Sequence, residues 1–224
     1  FCLGLEQGGQ WNTIWANQWE PGKTKQHAYD CFVKHFKDVY AINRDISTIE
    51  ASSIPEHTLL VGGFPCQDYS VARTGARGIE GKKGVLWWEI ERILRAKRPP
   101  FVLLENVDRL LKSPAKQRGR DFGVLLGCFR DLGYSVEWRV INAADYGFPQ
   151  KRRRVFIFGF KDNTEYRKKL SDGRLREWIL KKGFFRSVFP IKGMSKQDLG
   201  LEHEALEGDI AEISANFAYG FENA

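Results

Sequence analysis

The feature that most constrains this chain is an alternation: over residues 1–160, short apolar runs of strand length take turns with amphipathic stretches of helix length. Leu59-Leu60-Val61 runs into Gly62-Gly63, Phe101 to Leu104 follows Pro99-Pro100, and Val155 to Phe158 is apolar at every position. Runs that are apolar throughout suit strands covered on both faces. Val136-Glu137-Trp138-Arg139-Val140 alternates instead, as a strand with one wetter face near a sheet edge does. Between these runs, Ala28 to Phe36, Trp88 to Ala96 and Phe122 to Leu132 carry apolar residues at helical spacing. Strand, crossover helix, strand is the signature of an α/β fold, Rossmann-like, with a mostly parallel sheet and helices on both faces. Such open sheets bind ligands in the crevice at the carboxyl ends of their strands, so the residues that follow each strand are the ones to inspect.

After residue 160 the composition shifts: Lys161 to Lys192 is strongly basic, and Gly193 to Ala224 is acidic, with a helix expected around Leu201, Ala205, Leu206 and Ile210. The expected division is a main domain over 1–160 and the start of a second, smaller region over 161–224. No run approaches the ~20 apolar residues of a membrane span, and no signal-peptide pattern opens the chain, so a soluble cytoplasmic protein is expected. The formal net charge of +7 fits a polyanionic partner. Cys2, Cys31, Cys66 and Cys128 form no C-x-x-C pair, and the four histidines show no ligand spacing, so neither a metal nor a disulfide framework is expected.

Three segments carry candidate chemistry. In Gly62-Gly63-Phe64-Pro65-Cys66-Gln67-Asp68-Tyr69-Ser70 a cysteine follows a strand and a rigid proline, where a polar, partly exposed setting favours a nucleophilic thiolate. Cys31 and Cys128, inside apolar helix faces, read as small buried hydrophobes. In Leu103-Leu104-Glu105-Asn106-Val107 an acid follows a buried strand; a carboxyl group in a partly desolvated crevice can donate a proton near neutral pH, the alternative being a structural ion pair. Gln150-Lys151-Arg152-Arg153-Arg154 directly precedes the run Val155 to Phe158, which fixes alternate arginines toward a pocket; a solvated or phosphate-binding face is the alternative.

In this order, Phe-Pro-Cys-Gln, Glu-Asn-Val and Gln-x-Arg-x-Arg resemble the motif series of the DNA cytosine-5 methyltransferases of the prokaryotic restriction-modification type. The resemblance extends to Gly-Tyr-Ser-Val at 133–136 and Asn142 to Gly147, and fades after Phe160. It implies that Cys66 adds to carbon 6 of a flipped-out cytosine and that carbon 5 then takes the methyl group of S-adenosylmethionine. It further implies that Glu105 contacts ring nitrogen 3 and the exocyclic amine, that Arg154 addresses the base oxygen, and that Arg152 supports the cysteine and pocket. Double-stranded DNA is the implied partner of a monomeric enzyme, with Gln67, Ser70 and Arg73 as contacts on a glycine-rich basic loop, Asp68 to Gly84, that closes over it.

The same resemblance assigns the cofactor to Phe1, Gln18, Trp19, Asp45, Ile46, Pro65 and Leu86, with Trp19 stacking on adenine and Asp45-Ile46 addressing its edge. Two departures stand out. Gln18 occupies the place of an acidic residue that grips the ribose, and Phe1-Cys2 passes into Leu3-Gly4-Leu5 without the family's Phe-x-Gly-x-Gly loop. A chain break between Cys2 and Leu3 is therefore expected, as is an incomplete chain, because the later arginine-containing and Gly-Asn motifs are not found. An RNA (tRNA) cytosine-5 methyltransferase and an inactive nucleic-acid-binding module are the competing readings.

Overall fold

In the computed structural model, which describes residues 1–64, 86–113, 118–170, 178 and 182–189, the chain divides into two units, residues 1–57 with 89–98 and residues 58–88 with 99–224. Among the described residues no helix is long and apolar enough to cross a membrane.

The first unit holds α1 (Cys2–Gln7), β1 (Trp15–Asn17), α2 (His27–His35) and β2 (Tyr40–Ile42). The two strands pair in parallel, Ala16 opposite Ala41, with α2 as the crossover that a parallel pair requires. Lys34 stands in the last turn of α2, where a cation complements the helix dipole. Gln26, just before α2, ties the preceding turn together: its amide donates to the carbonyls of Glu20 and Lys23 at 2.9 and 2.8 Å and its oxygen accepts from Glu20 N–H at 2.8 Å. The predicted break between Cys2 and Leu3 is absent. Phe1 leads directly into α1 and its carbonyl accepts the Leu5 N–H at 3.0 Å, so Cys2 and Leu3 form the first helical turn. Cys31, expected to be buried, is exposed on α2, a helix none of whose residues is fully buried.

The second unit is built on β3 (Leu59–Gly63), β4 (Phe101–Val107), β5 (Tyr134–Asn142) and β6 (Arg153–Lys161), in the order β3-β4-β6-β5. β3 and β4 are parallel, and β6 is antiparallel to both β4 and β5. Three strands thus run one way and only β6 is reversed. α3 (Leu86–Lys97) precedes β4, and α4 (Arg120–Asp131) precedes β5. These helices and the strands β3, β4 and β6 lie where the apolar periodicity places them, each strand longer than its apolar run.

Alternation sorts the side chains of this sheet onto two faces. Val102, Leu104, Val155 and Ile157 are buried on one, where Phe129 of α4 contacts Trp87 with ring centroids 5.4 Å apart. Gly159 keeps this packing possible, since a Cβ there would sit 3.2 Å from the Phe129 ring. The other face carries Phe101, Phe158 and Phe160 and is covered by the chain that follows β6, including α5 (Glu165–Leu170) and α6 (Phe184–Val188). Trp178 and Phe185 are buried in the same cluster as Ile141, Phe158 and Phe160, and Phe158 stacks on Phe184 at 4.1 Å.

β5 is an edge strand, as its alternation predicts, but its faces are inverted: Glu137 and Arg139 are the buried residues while Trp138 is 44% exposed. The reason is a specific set of partners. Glu137 accepts from Trp178 Nε1 at 3.1 Å, Phe184 N–H at 2.9 Å and Phe185 N–H at 3.2 Å, whereas Arg139 donates to the carbonyls of Phe185 and Phe189 at 3.0 and 2.6 Å. A carboxylate at the first turn of α6 and a guanidinium at its last match the helix dipole at both ends. Gly183 leaves room for this contact, because a Cβ there would lie 2.6 Å from Glu137 Oε2. Burial pushes the Glu137 carboxyl above the usual glutamate range, a rise opposed by the hydrogen bonds from Phe185, Phe184 and Trp178 and by Arg139.

Candidate active site

Glu105 was expected just after β4; it lies inside the strand, two residues before its end. Arg154 likewise belongs to β6 as its second residue. Because β6 is reversed, its beginning lies beside the end of β4, with Val107 opposite Arg154 and Glu105 opposite Phe156. Glu105 and Arg154 are therefore diagonal neighbours on one face, within reach of long side chains. Glu105 Oε1 pairs with Arg154 Nε at 2.7 Å, both side chains about a quarter exposed. A charge-assisted contact of this length fixes the carboxylate's orientation while leaving part of it open to a ligand.

β3 ends at the same edge. Gly63 is registered against Glu105, and a Cβ on Gly63 would lie 3.2 Å from Glu105 Oε2, so glycine here is a condition of the carboxylate's position. Phe64, the residue before Pro65, is buried, and its carbonyl accepts the Asn106 side-chain N–H at 2.9 Å. Asn106 is 2% exposed and its Oδ1 accepts the Val107 N–H at 2.7 Å within β4, so its amide N–H ties the end of β4 to the end of β3 while its oxygen is held by its own strand. Asp108, in the 3-10 turn Asp108–Lys112 that continues β4, pairs with Arg153 at 3.1 Å. Sequence reading assigned no role to Gly63, Asn106 or Asp108. Their signal was present in the position of Asn106 and Asp108 beside Glu105, and in a second glycine where one would end a strand.

Pro65, Cys66, Gln67, Ser70 and Arg73, the loop Asp68 to Gly84 and the helix expected near Leu201 lie outside the described residues. Arg152 is held by its backbone, its carbonyl accepting the Ala143 N–H at 3.0 Å, while its side chain is exposed and Glu105 is ion-paired with Arg154 instead.

Of the residues assigned to a cofactor, Phe1, Gln18, Trp19, Asp45 and Ile46 belong to the first unit, and Leu86 to the second. Gln18 N–H continues the β1–β2 ladder to the Ile42 carbonyl at 3.1 Å, and its own carbonyl accepts from Asn43 at 2.6 Å. Trp19 follows, partly exposed. Asp45 caps the turn Ile46–Thr48, its Oδ1 accepting from Ser47 N–H and Oγ at 3.0 and 2.8 Å, while the Ile46 carbonyl accepts from Arg92 of α3 at 3.0 Å. Asn17, at the carboxyl end of β1, buries an Oδ1 that has no donor among the described residues. An indole face, an unsatisfied acceptor and a carboxylate just past the ends of two parallel strands fit the adenosine part of a nucleoside cofactor, which offers a ring to stack and hydroxyl and amine donors. Leu86 is the partly exposed first residue of α3.

Comparison with known proteins agrees with this arrangement. The family model described as C-5 cytosine-specific DNA methylase matches residues 1–213. The Type II methyltransferase M.Sau3AI of Staphylococcus aureus is 50% identical over 230 residues, covering 100% of this chain and 56% of that protein. M.NgoBI of Neisseria gonorrhoeae, also named a Type II methyltransferase, is 38% identical over 170 residues, 73% of this chain and 48% of its own length. The chain thus spans about half the length of these relatives. A crystal structure of a Spodoptera frugiperda DNMT2 mutant superposes with a TM-score of 0.56 at 16% identity, over 73% of this chain and 47% of that one, a likeness of fold. On this evidence the chain belongs to the C-5 cytosine-specific DNA methylase family.

Proposed function

We propose that this chain is the catalytic part of an enzyme that methylates carbon 5 of a flipped-out cytosine in a specific sequence of double-stranded DNA, acting as a cytoplasmic monomer. Residues 1–160 would form the catalytic domain, and 161–224 would begin the target-recognition region, of which Tyr166, Trp178, Phe184 and Phe185 pack on the aromatic face of the sheet. The observation that carries the reading is the meeting at one sheet edge of the Glu105–Arg154 pair with the strand end that leads into Phe64-Pro65-Cys66.

Carbon 5 of cytosine is a poor nucleophile until a group adds to carbon 6. The Cys66 thiolate would form a carbon–sulfur bond there, moving the pair of electrons of the 5,6 double bond into an enamine. Glu105, held by Arg154, would meet ring nitrogen 3 and the exocyclic amine and select cytosine over uracil, whose donor and acceptor are reversed at those positions. Arg154 would address the base oxygen, and Arg152 would support the pocket. Trp19, Asp45, Ile46 and Gln18, with Phe1, Pro65 and Leu86, would hold S-adenosylmethionine. When bound, that cofactor supplies the methyl group. Loss of the carbon 5 proton to solvent then restores the double bond and expels the thiolate. Gln67, Ser70 and Arg73 would contact the DNA.

The test uses the whole protein with S-adenosylmethionine and duplex DNA carrying 5-fluorocytosine at the target. Fluorine cannot leave as a proton does, so protein and DNA should become covalently joined at Cys66. Cys66→Ser should abolish both joining and turnover, since a hydroxyl is far less ionised than a thiol. Glu105→Gln should slow the addition while leaving DNA affinity in place, because affinity rests mainly on phosphate contacts. Joining that persists in Cys66→Ser or maps to Cys31 or Cys128, or methyl transfer to transfer RNA in preference to duplex DNA, refutes the proposal.

A further inference from the structure

The Glu105–Arg154 contact stands where the two strands that carry it stop pairing. The β4–β6 ladder ends with Val107 opposite Arg154, although β6 begins one residue earlier, at Arg153, which still pairs with Asn142 of β5. The ladders thus hold the first residue of β6 toward β5 and stop short of it toward β4. On that side its side chain takes over: Arg153 Nε meets Asp108 Oδ2 at 3.1 Å. Asp108 is a fixed anchor, because it opens the turn Asp108–Lys112 directly after β4 and Leu110 of that turn is fully buried. By alternation Arg153 points away from the face that bears Arg154. The two ion pairs therefore join the same two strand ends from opposite faces.

The chain itself links them. The Arg154 guanidinium donates from Nε to Glu105 Oε1 at 2.7 Å and from Nη1 to the carbonyl of Arg153 at 2.8 Å. One rigid planar group is set by two acceptors, and one of them is the backbone of the residue that Asp108 holds. A shift of Arg153 moves its carbonyl, then the guanidinium, then the carboxylate. The side chains of Arg153 and Asp108 are 56% and 36% exposed, and an ion pair so exposed contributes little to stability. Its effect on geometry is a separate quantity, since a misplacement of about 1 Å among reacting groups can cost about a hundredfold in rate.

We propose that Asp108 and Arg153 are positioning residues for the Glu105 carboxylate, acting through the Arg153 carbonyl and the Arg154 guanidinium. The inference rests on the function proposed above for the role of Glu105, whereas the linkage rests on the contacts alone. Of three consecutive arginines, it gives the middle one a partner in the protein and not in the substrate.

In the whole protein, Asp108→Asn and Arg153→Gln should each lower kcat on duplex DNA about tenfold, with KM within about twofold and an unmoved urea midpoint. The exchanged variant, Asp108→Arg with Arg153→Asp, should return kcat to within about threefold of wild type, because the pair is restored with its charges reversed. Asp131→Asn breaks an ion pair of similar exposure with Arg130 at the end of α4 and should leave kcat unchanged. Amide exchange read by mass spectrometry gives a measure independent of methyl transfer. Asp108→Asn should speed exchange in peptides covering 105–109 and 152–156, and not around Phe101 and Phe160 at the other end of the ladder. An unchanged kcat or unchanged exchange in Asp108→Asn overturns the proposal, as does an exchanged variant that keeps the wild-type urea midpoint and recovers no activity. A raised KM in Arg153→Gln with no change in Asp108→Asn would make Arg153 a substrate contact and also overturns it. If exchange responds as stated but the wild-type protein transfers no methyl group, the proposed function fails and the linkage stands.

Discussion

Replacing Glu137 tests how the chain after β6 is held on the sheet. The carboxylate is 5% exposed and receives three N–H donors, from Trp178, Phe184 and Phe185. Glu137→Ala strands all three and leaves Arg139, itself 8% exposed, without the nearby negative charge. Removing one partner from a buried charged network costs about 3–5 kcal/mol. Glu137→Gln is milder. An amide oxygen seated where Oε2 lies keeps Trp178 and Phe184, but its NH2 then faces the Phe185 N–H, one unsatisfied contact of about 1–3 kcal/mol. The assay is urea denaturation of the whole protein, with limited proteolysis between residues 161 and 189 as a local readout.

The pH dependence follows from the same burial. Because the folded-state value is raised, the folded protein holds this proton more tightly than the unfolded chain does. The contribution is complete below the unfolded glutamate value and is lost as pH rises through the raised folded value. The stability advantage of wild type over Glu137→Gln should therefore shrink as pH rises across that window. A loss below about 0.5 kcal/mol in Glu137→Ala, the scale of ordinary surface substitutions, would refute the clamp. A difference that does not vary with pH would refute the role of burial.

Two substitutions probe the edge itself. Gly63→Ala places a methyl group 3.2 Å from Glu105 Oε2, so the carboxylate must give way by a few tenths of an ångström; turnover should fall about tenfold with an unchanged urea midpoint, as steady-state kinetics and denaturation would show. Asn106→Ala frees the Phe64 carbonyl and should cost about 1–3 kcal/mol, while slowing covalent joining to 5-fluorocytosine DNA more than it weakens DNA binding. Asn106→Asp, which lacks the donor, should behave like the alanine variant, and recovery of normal joining by the aspartate would exclude the Phe64 contact as the cause.

The elements were legible where a single period dominates. Leu59 to Val61, Phe101 to Leu104 and Val155 to Phe158 became strands, and the three amphipathic stretches became α2, α3 and α4. Short β1 and β2 were not read, because three residues are too few to display a period. β5 was read as a strand on the right edge but with the wrong face inward. Alternation reports that two faces differ, and polarity then assigns the charged one to water; here Trp178, Gly183 and the backbone of α6, 41 to 50 residues away, supply partners that make the charged face the buried one.

One part of the site could have been deduced from strand direction. Glu105 stands near the end of a strand and Arg154 near the start of one. If all strands were parallel, a strand beginning at Arg153 opposite Phe101 would set Arg154 beside Val102, three residues and about 10 Å from Glu105. The end of β3, Glu105 and Arg154 can share one edge only if the strand that begins with the arginines runs against its neighbour. β6 does so, with Phe101 opposite Phe160 and Val107 opposite Arg154. The reversal has a second consequence. It delivers the chain after Lys161 to the opposite edge, from which α5 and the segment through Phe189 return across the aromatic face, the same face that bears Glu105 and Arg154 at its far end. A single reversed strand thus sets the arginine against the carboxylate and lays the following chain on the face that carries both, so the region that would choose the DNA sequence is anchored to the sheet that would act on it.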